Sequence, residues 1–178
     1  VTMVQLREKN CSAKEFFETA QRVKKITDQA GVPLIINDRV DIALAVDADG
    51  VHVGQSDIPA AEARRLLGPD KIVGVSARTV EQARKAEADG ADYLGVGAMF
   101  VTGTKQDAKV TSKEELKRIR AAVAIPIVAI GGIKADNVEE LKGTGIDGVA
   151  VVSAVIAAEN IASAAEELAG RVKELKEA

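Results

Sequence analysis

Apolar residues in this chain fall into two alternating kinds of stretch. Short unbroken runs, such as Leu34-Ile35-Ile36, Ile127-Val128-Ala129-Ile130 and Val149-Ala150-Val151-Val152, are separated by longer stretches where apolar positions recur every three or four residues. An unbroken run suits a parallel strand covered on both faces, and the longer period suits an amphipathic helix. In order, the pattern predicts strands over 1–6, 34–36, 51–53, 72–75, 93–96, 126–130 and 148–152. Helices fall between them, and a final one spans 160–176. Local signals bound the helices. Ser12 with Glu15 forms a capping box for a helix reaching Ala30, with Phe16, Ala20, Val23 and Ile26 as its apolar stripe and Gly31 at its end. Thr79 with Gln82, Ser112 with Glu115 and Asp136 with Glu139 mark further helix starts, and Gly68 with Pro69 closes the helix over 60–67.

The strand-helix alternation has no linker or low-complexity segment. It carries a weak internal echo: Asp49-Gly50-Val51, Asp92-Tyr93-Leu94 and Asp147-Gly148-Val149 each stand where a helix has ended and a strand begins. Parallel βα units produce this pattern, and the lack of a dinucleotide fingerprint favours a barrel over an open doubly wound sheet. The expected fold is α/β, a single (β/α)8 TIM barrel domain over 1–178. Seven strands are counted rather than eight. Because Val1 is not an initiator methionine and already lies in a strand, the first βα unit is expected to be missing from the chain, with a neighbouring copy in a homo-oligomer as one way to cover the gap.

Length and composition narrow the function classes. At 178 residues with 47% hydrophobic and 29% charged positions, the chain suits one globular domain with a substantial core. A formal charge of −3 with interspersed signs supplies no basic field for nucleic acid, and 2% aromatic residues leave few platforms for stacking bases. One cysteine, Cys11, permits no internal disulfide, and the longest uncharged run is too short to cross a bilayer. A cytoplasmic protein without nucleic-acid or membrane partners is expected.

Polar chemistry gathers just past the strands, in Gln5, Arg7 and Lys9; Asn37 and Asp38; Gln55 and Asp57; Ser76; Thr102, Thr104 and Lys105; Gly131 and Gly132; and Ser153. The opposite ends carry no such set, and barrel enzymes build their sites at the C-terminal strand ends. Gln5, Arg7 and Lys9 alternate and so share a face, which points into a barrel mouth or, in a plainer reading, into water at a fraying strand end. Two strands ending at Gly131-Gly132 and at Ser153 suit a phosphate, although tight packing also explains glycines there. Asp38 and Asp57 are hard oxygen donors of the kind that hold Mg²⁺ with substrate phosphates, and equally residues that cap helices. Together with the cations Arg7, Lys9 and Lys105 they suggest a pyrophosphate site. The 97–109 connection is long enough to fold over a ligand. His52 is the only histidine, which leaves no Ser-His-Asp triad and no multi-histidine metal site. Mid-strand between valines, it suits a satisfied core histidine or, less simply, a ligand contact. Cys11 is assigned no role.

These residues carry a family resemblance. The runs Gln5-Leu6-Arg7-Glu8-Lys9, Asn37-Asp38-Arg39, Gly54-Gln55-Ser56-Asp57, Gly74-Val75-Ser76, Thr102-Gly103-Thr104-Lys105 and Ile130-Gly131-Gly132-Ile133 closely resemble the thiamin phosphate synthase family over essentially the whole chain. The resemblance implies an Mg²⁺-dependent transferase that joins hydroxymethylpyrimidine pyrophosphate to hydroxyethylthiazole phosphate and releases pyrophosphate. It also implies that Arg7, Lys9, Asn37, Ser76 and Lys105 hold the pyrophosphate, with Arg7, Lys9, Ser76 and Lys105 as the catalytic set. By the same implication Asp38 and Asp57 bind magnesium, Gln5 with His52 faces the pyrimidine, and Thr102, Thr104, Gly132 and Ser153 hold the thiazole phosphate.

The chain departs from the family pattern at Ala98 and Val101, where proline is usual, and at Arg78, where histidine is common. A loop without those prolines is expected to be less rigid. Two rival readings stay open. A thiazole tautomerase needs a histidine near Gly97 and Ala98, which this chain lacks; a non-catalytic phosphate-binding barrel would keep the site without the chemistry.

Overall fold

The computed structural model describes residues 1–101 and 110–177. Its elements alternate as the apolar pattern predicts: β1 (Val4–Leu6), α1 (Ala13–Ala30), β2 (Leu34–Asn37), α2 (Val40–Ala45), β3 (Gly50–Val53), α3 (Ala60–Leu67), β4 (Ile72–Ala77), α4 (Val80–Ala88), β5 (Tyr93–Gly97), α5 (Lys113–Ala122), β6 (Ile127–Ile130), a 3-10 turn (Val138–Leu141), β7 (Gly148–Ala150), α6 (Ser153–Ile156) and α7 (Ile161–Glu177). The chain divides into two compact units, Val1–Ser76 with Ala88–Asp92, and Ala77–Glu87 with Tyr93–Ala178.

In the first unit, β1 to β4 pair in parallel with sequential neighbours adjacent, in registers such as Val4↔Leu34, Asn37↔His52 and Val53↔Val75. Every residue of β2 and β3 is buried, which accounts for their unbroken apolar runs: neither face meets water. Phe16 and Ala20 of α1 pack into this core with Ile35, Ile36, Val51 and Val73. In the second unit β5, β6 and β7 pair in the same parallel sense, and Leu94, Val96, Leu116, Ile119, Ile127 and Leu141 are buried.

The echoed aspartates have one shared task. Asp49 accepts a hydrogen bond from the Leu34 N–H, Asp92 from Val73 and Asp147 from Ile127, at 2.8, 2.7 and 2.8 Å. Each returns the bond through its own backbone N–H to the carbonyl of the same residue, at 2.9, 2.8 and 2.8 Å. A cation from the helix that precedes the first strand of each pair completes the set: Lys24 of α1 lies 3.8 Å from Asp49, Arg64 of α3 2.5 Å from Asp92 and Arg120 of α5 3.1 Å from Asp147. Arg64 also donates to the carbonyls of Gly68, Lys71 and Gly90. These bonds occupy backbone groups at strand starts that would otherwise be buried without partners.

The Ser12–Glu15 capping box forms as expected, and Gly31 ends α1 in the left-handed region at φ 64°. Four expectations need correction. Ile26 is 65% exposed while Thr27 is buried, because position 27 lies about 20° around the helix from Phe16 and position 26 about 80°. The first strand begins at Val4 rather than Val1, and β7 stops at Ala150, leaving Val152 58% exposed. The Asp136–Glu139 helix is instead a four-residue 3-10 turn that buries Val138 and Leu141, an i, i+3 pair that this tighter winding stacks on one side. Its start is organised by Asn137, which accepts from the Lys134 N–H at 2.8 Å.

Two outcomes follow for stability. Asp92→Ala leaves the buried Val73 N–H without its acceptor and is expected to cost about 2 kcal/mol, measured by urea unfolding. The Ser12 hydroxyl, then its backbone N–H, holds the Glu15 carboxyl below the usual range, and the Arg39 guanidinium does the same for Asp41. Depressed carboxyls stabilise the fold above their ordinary value of about 4 and lose that contribution as pH falls through the lower folded values. The urea midpoint should therefore fall as the pH drops from about 5 to about 3, and less steeply in Ser12→Ala.

Candidate active site

The first unit gathers polar groups at the C-terminal ends of its strands. Gln5 lies in β1, and Gln5, Arg7 and Lys9 are all exposed. The Lys9 ammonium forms an ion pair with Asp38, whose side chain is only 18% exposed against 47% for the lysine. Asp38 follows the buried Asn37 at the end of β2, takes a left-handed φ of 63° and donates its N–H to the His52 carbonyl at 2.8 Å. A short polar side chain is among the few non-glycine types that accept that backbone region readily. Arg39 turns away, binding Asp41 through two bonds of 2.8 and 2.6 Å.

The turn after β3 is equally specific. Asp57 Oδ2 accepts from the Gly54 N–H at 2.8 Å, and a Cβ on Gly54 would stand 3.1 Å from that oxygen. His52 is buried, and its Nε2 lies 2.9 Å from the Ser76 hydroxyl on β4. The Gln55 amide donates to the Ser76 carbonyl at 2.7 Å. Asp38, His52, Gln55, Asp57 and Ser76 thus stand at the ends of three consecutive paired strands, and Lys9 reaches Asp38 from beyond β1.

In the second unit Gly131 and Gly132 follow β6 with φ of 88° and 70°. A Cβ on Gly131 would stand 2.6 Å from that of Ala98, and one on Gly132 2.7 Å from the carbonyl oxygens of Phe100 and Val101. The chain's own backbone therefore fills the space that the missing side chains leave, with Met99 and Phe100 donating their N–H groups to Ile130 and Gly131. Asn137 ties the turn shut by donating to the Gly132 carbonyl at 2.9 Å. Ser153 is exposed and opens α6 rather than ending a strand. Thr102, Thr104 and Lys105 lie outside the described residues.

Among the described residues no group of three or more His, Cys, Asp or Glu side chains stands together as a metal site. Asp38 and Asp57 nevertheless supply the hard carboxylate oxygens that suit Mg²⁺ when substrate phosphates and water complete its shell. A cleft of about 360 Å³ lies at the other end of β7, lined by Leu141, Gly145, Gly148 and Val172, and carries none of these groups. The sequence places Gln55 at a strand end and within a family run but gives it no role, and it does not single out Asn137; the only local signal for either is a side-chain amide one residue after Gly54 and five after Gly132, which is a common one.

Comparison with known proteins decides the family. The model for thiamine monophosphate synthase matches residues 1–155. The chain belongs to this family. Thiamine-phosphate synthase of Clostridium beijerinckii is 65% identical over 167 residues, covering 94% of this chain and 80% of the relative. That of Methanobrevibacter smithii is 55% identical over 176 residues, covering 99% and 83%. The solved thiamine phosphate pyrophosphorylase from Pyrococcus furiosus superposes with a TM-score of 0.89 at 44% identity, covering 98% of this chain and 84% of that one. A 3-hexulose-6-phosphate synthase structure shares the fold at a TM-score of 0.74 and 21% identity. As a member of the thiamine monophosphate synthase family the chain is a transferase of thiamine biosynthesis, and no helix among its described residues is long and apolar enough to cross a membrane.

The glycine turn yields a test within this family. Gly132→Ala combines a left-handed φ with overlap against backbone that has no flexible end to move, and should cost at least about 2 kcal/mol, read as a lowered urea midpoint.

Proposed function

We propose that the chain joins hydroxymethylpyrimidine pyrophosphate to hydroxyethylthiazole phosphate in an Mg²⁺-dependent alkyl transfer. The thiazole nitrogen lone pair forms a C–N bond to the pyrimidine methylene carbon, and the C–O bond to the diphosphate breaks with its electrons leaving on the diphosphate oxygen. The observation that carries this reading is the cluster of Lys9, Asp38, Asp57 and Ser76 at neighbouring strand ends in a chain of this family. No nucleophile or strong base is needed, because the attacking lone pair is already present and the departing charge is what requires stabilisation.

Arg7, Lys9, Asn37, Ser76 and Lys105 bind the diphosphate and oppose the charge that develops on it. Asp38 and Asp57 would hold Mg²⁺, which would supply Lewis-acid stabilisation of the leaving group. Gln5 orients the pyrimidine. Thr102, Thr104 and Ser153 bind the thiazole phosphate together with the main chain at Gly132, whose missing side chain makes room for Phe100 and Val101 rather than for the ligand. His52, in contact with the Ser76 hydroxyl, acts on the diphosphate side rather than on the pyrimidine alone. The parallel strands suit seven of the eight units of a (β/α)8 barrel, with 1–178 as one domain. A site for two soluble phosphates fits the cytoplasm.

The test incubates the protein with both substrates and MgCl₂ and follows thiamin phosphate and pyrophosphate. Stoichiometric product that Asp57→Ala abolishes is the expected result. Lys105→Ala should slow turnover at least about tenfold, since one lost charge contact is worth roughly 1.4 kcal/mol or more. Binding of both substrates without product would point to a phosphate-binding module, and isomerised thiazole without coupling to a tautomerase.

A further inference from the structure

We propose that Gln55 is a positioning residue that holds Ser76 and Asp57 in fixed relation, so that one turn serves both the diphosphate and the metal; the inference rests on the site reading above. Strands β3 and β4 pair in register from Gly50↔Ile72 to Val53↔Val75, and the next rung would set Gly54 beside Ser76. The chain leaves the ladder at that point. Gly54 turns into a loop closed by its own N–H on the Asp57 carboxylate, at 2.8 Å, and by the Asp57 N–H on the Gly54 carbonyl, at 3.3 Å.

The Gln55 side chain supplies what the departing strand withdraws. Its amide nitrogen lies 2.7 Å from the Ser76 carbonyl, so a side-chain N–H continues the ladder one step after the backbone has turned aside. That carbonyl belongs to the Ser76–Ala77 peptide, whose plane is thereby fixed. His52, three residues earlier, reaches the Ser76 hydroxyl at 2.9 Å. Ser76 is gripped at its main-chain and side-chain oxygens from one neighbouring segment, and that segment ends at Asp57.

Gln55 has no place in the substrate-binding set, and its side chain is exposed, so its removal leaves the core untouched. The consequence is confined to the diphosphate side. Without the amide, the Asp57 turn and the Ser76 peptide are no longer tied together, and the spacing that a metal-bound diphosphate must match is no longer set before it arrives.

The experiment compares wild type with Gln55→Met, which keeps the length and loses the donor, and Gln55→Glu, which is isosteric and presents an acceptor to the Ser76 carbonyl. Inorganic pyrophosphate binding is measured by calorimetry at fixed MgCl₂, alongside KM for each substrate and the thermal midpoint. Both variants are expected to bind pyrophosphate about tenfold more weakly, equivalent to about 1.4 kcal/mol. KM for the pyrimidine substrate should rise in parallel, while KM for the thiazole phosphate and the thermal midpoint stay near wild type. Pyrophosphate affinity equal to wild type in both variants overturns the proposal, as does an equal rise in both KM values, which would mark a general loss of order. A wild-type protein that binds no pyrophosphate removes the site reading itself and this inference with it.

Discussion

The backbone N–H at the start of a buried parallel strand has to find an acceptor, and the structure depends on how that need is met. Three times an aspartate from the connection before the next strand accepts the N–H and donates its own back to the same residue. A carboxylate suits the place better than an amide or hydroxyl because it accepts more than one bond and attracts a cation. Arg64 exploits this most fully, joining Asp92 to three carbonyls around the ends of α3 and α4.

With the strand starts held in this way, the opposite ends are open to groups that a core would exclude. Asn37 and Asp38, Gly54 to Asp57, and Ser76 interrupt the ladder where a further apolar residue would have extended it. The left-handed φ of Asp38, the close Gly54–Asp57 contact and the Lys9 ion pair are all located there. Each charged group has a partner, so the cluster is compatible with its partial burial.

Much of this was legible in the chain itself. Unbroken apolar runs announced strands buried on both faces, and Ser12 with Glu15 announced α1, because these signals are local and each has one good structural solution. The echo at Asp49, Asp92 and Asp147 was visible as a pattern, but its meaning lay in the residue each carboxylate meets, 15, 19 and 20 positions earlier. The same limit applies to the site. Strand-end polar residues could be picked out by position, whereas the bonds of Gln55 to Ser76 and His52 to Ser76 join segments more than twenty residues apart. Ile26 and Val152 were misread because an apolar residue on a helix or after a strand looks the same whether it faces core or water. Gly131 and Gly132 suggested room for a ligand; the segment from Ala98 to Val101 is what occupies it.

The doubled bond between each aspartate and its strand start bears on how such a molecule tolerates change. Substitutions among Lys9, Gln55 and Ser76 alter groups that no buried strand-start amide relies on, so the scaffold stays folded when the ligand chemistry there changes. A carboxylate lost at Asp49, Asp92 or Asp147 has no such latitude. Within each unit the fold's hydrogen-bond obligations fall at the strand starts, so a changed side chain at the strand ends costs the scaffold less.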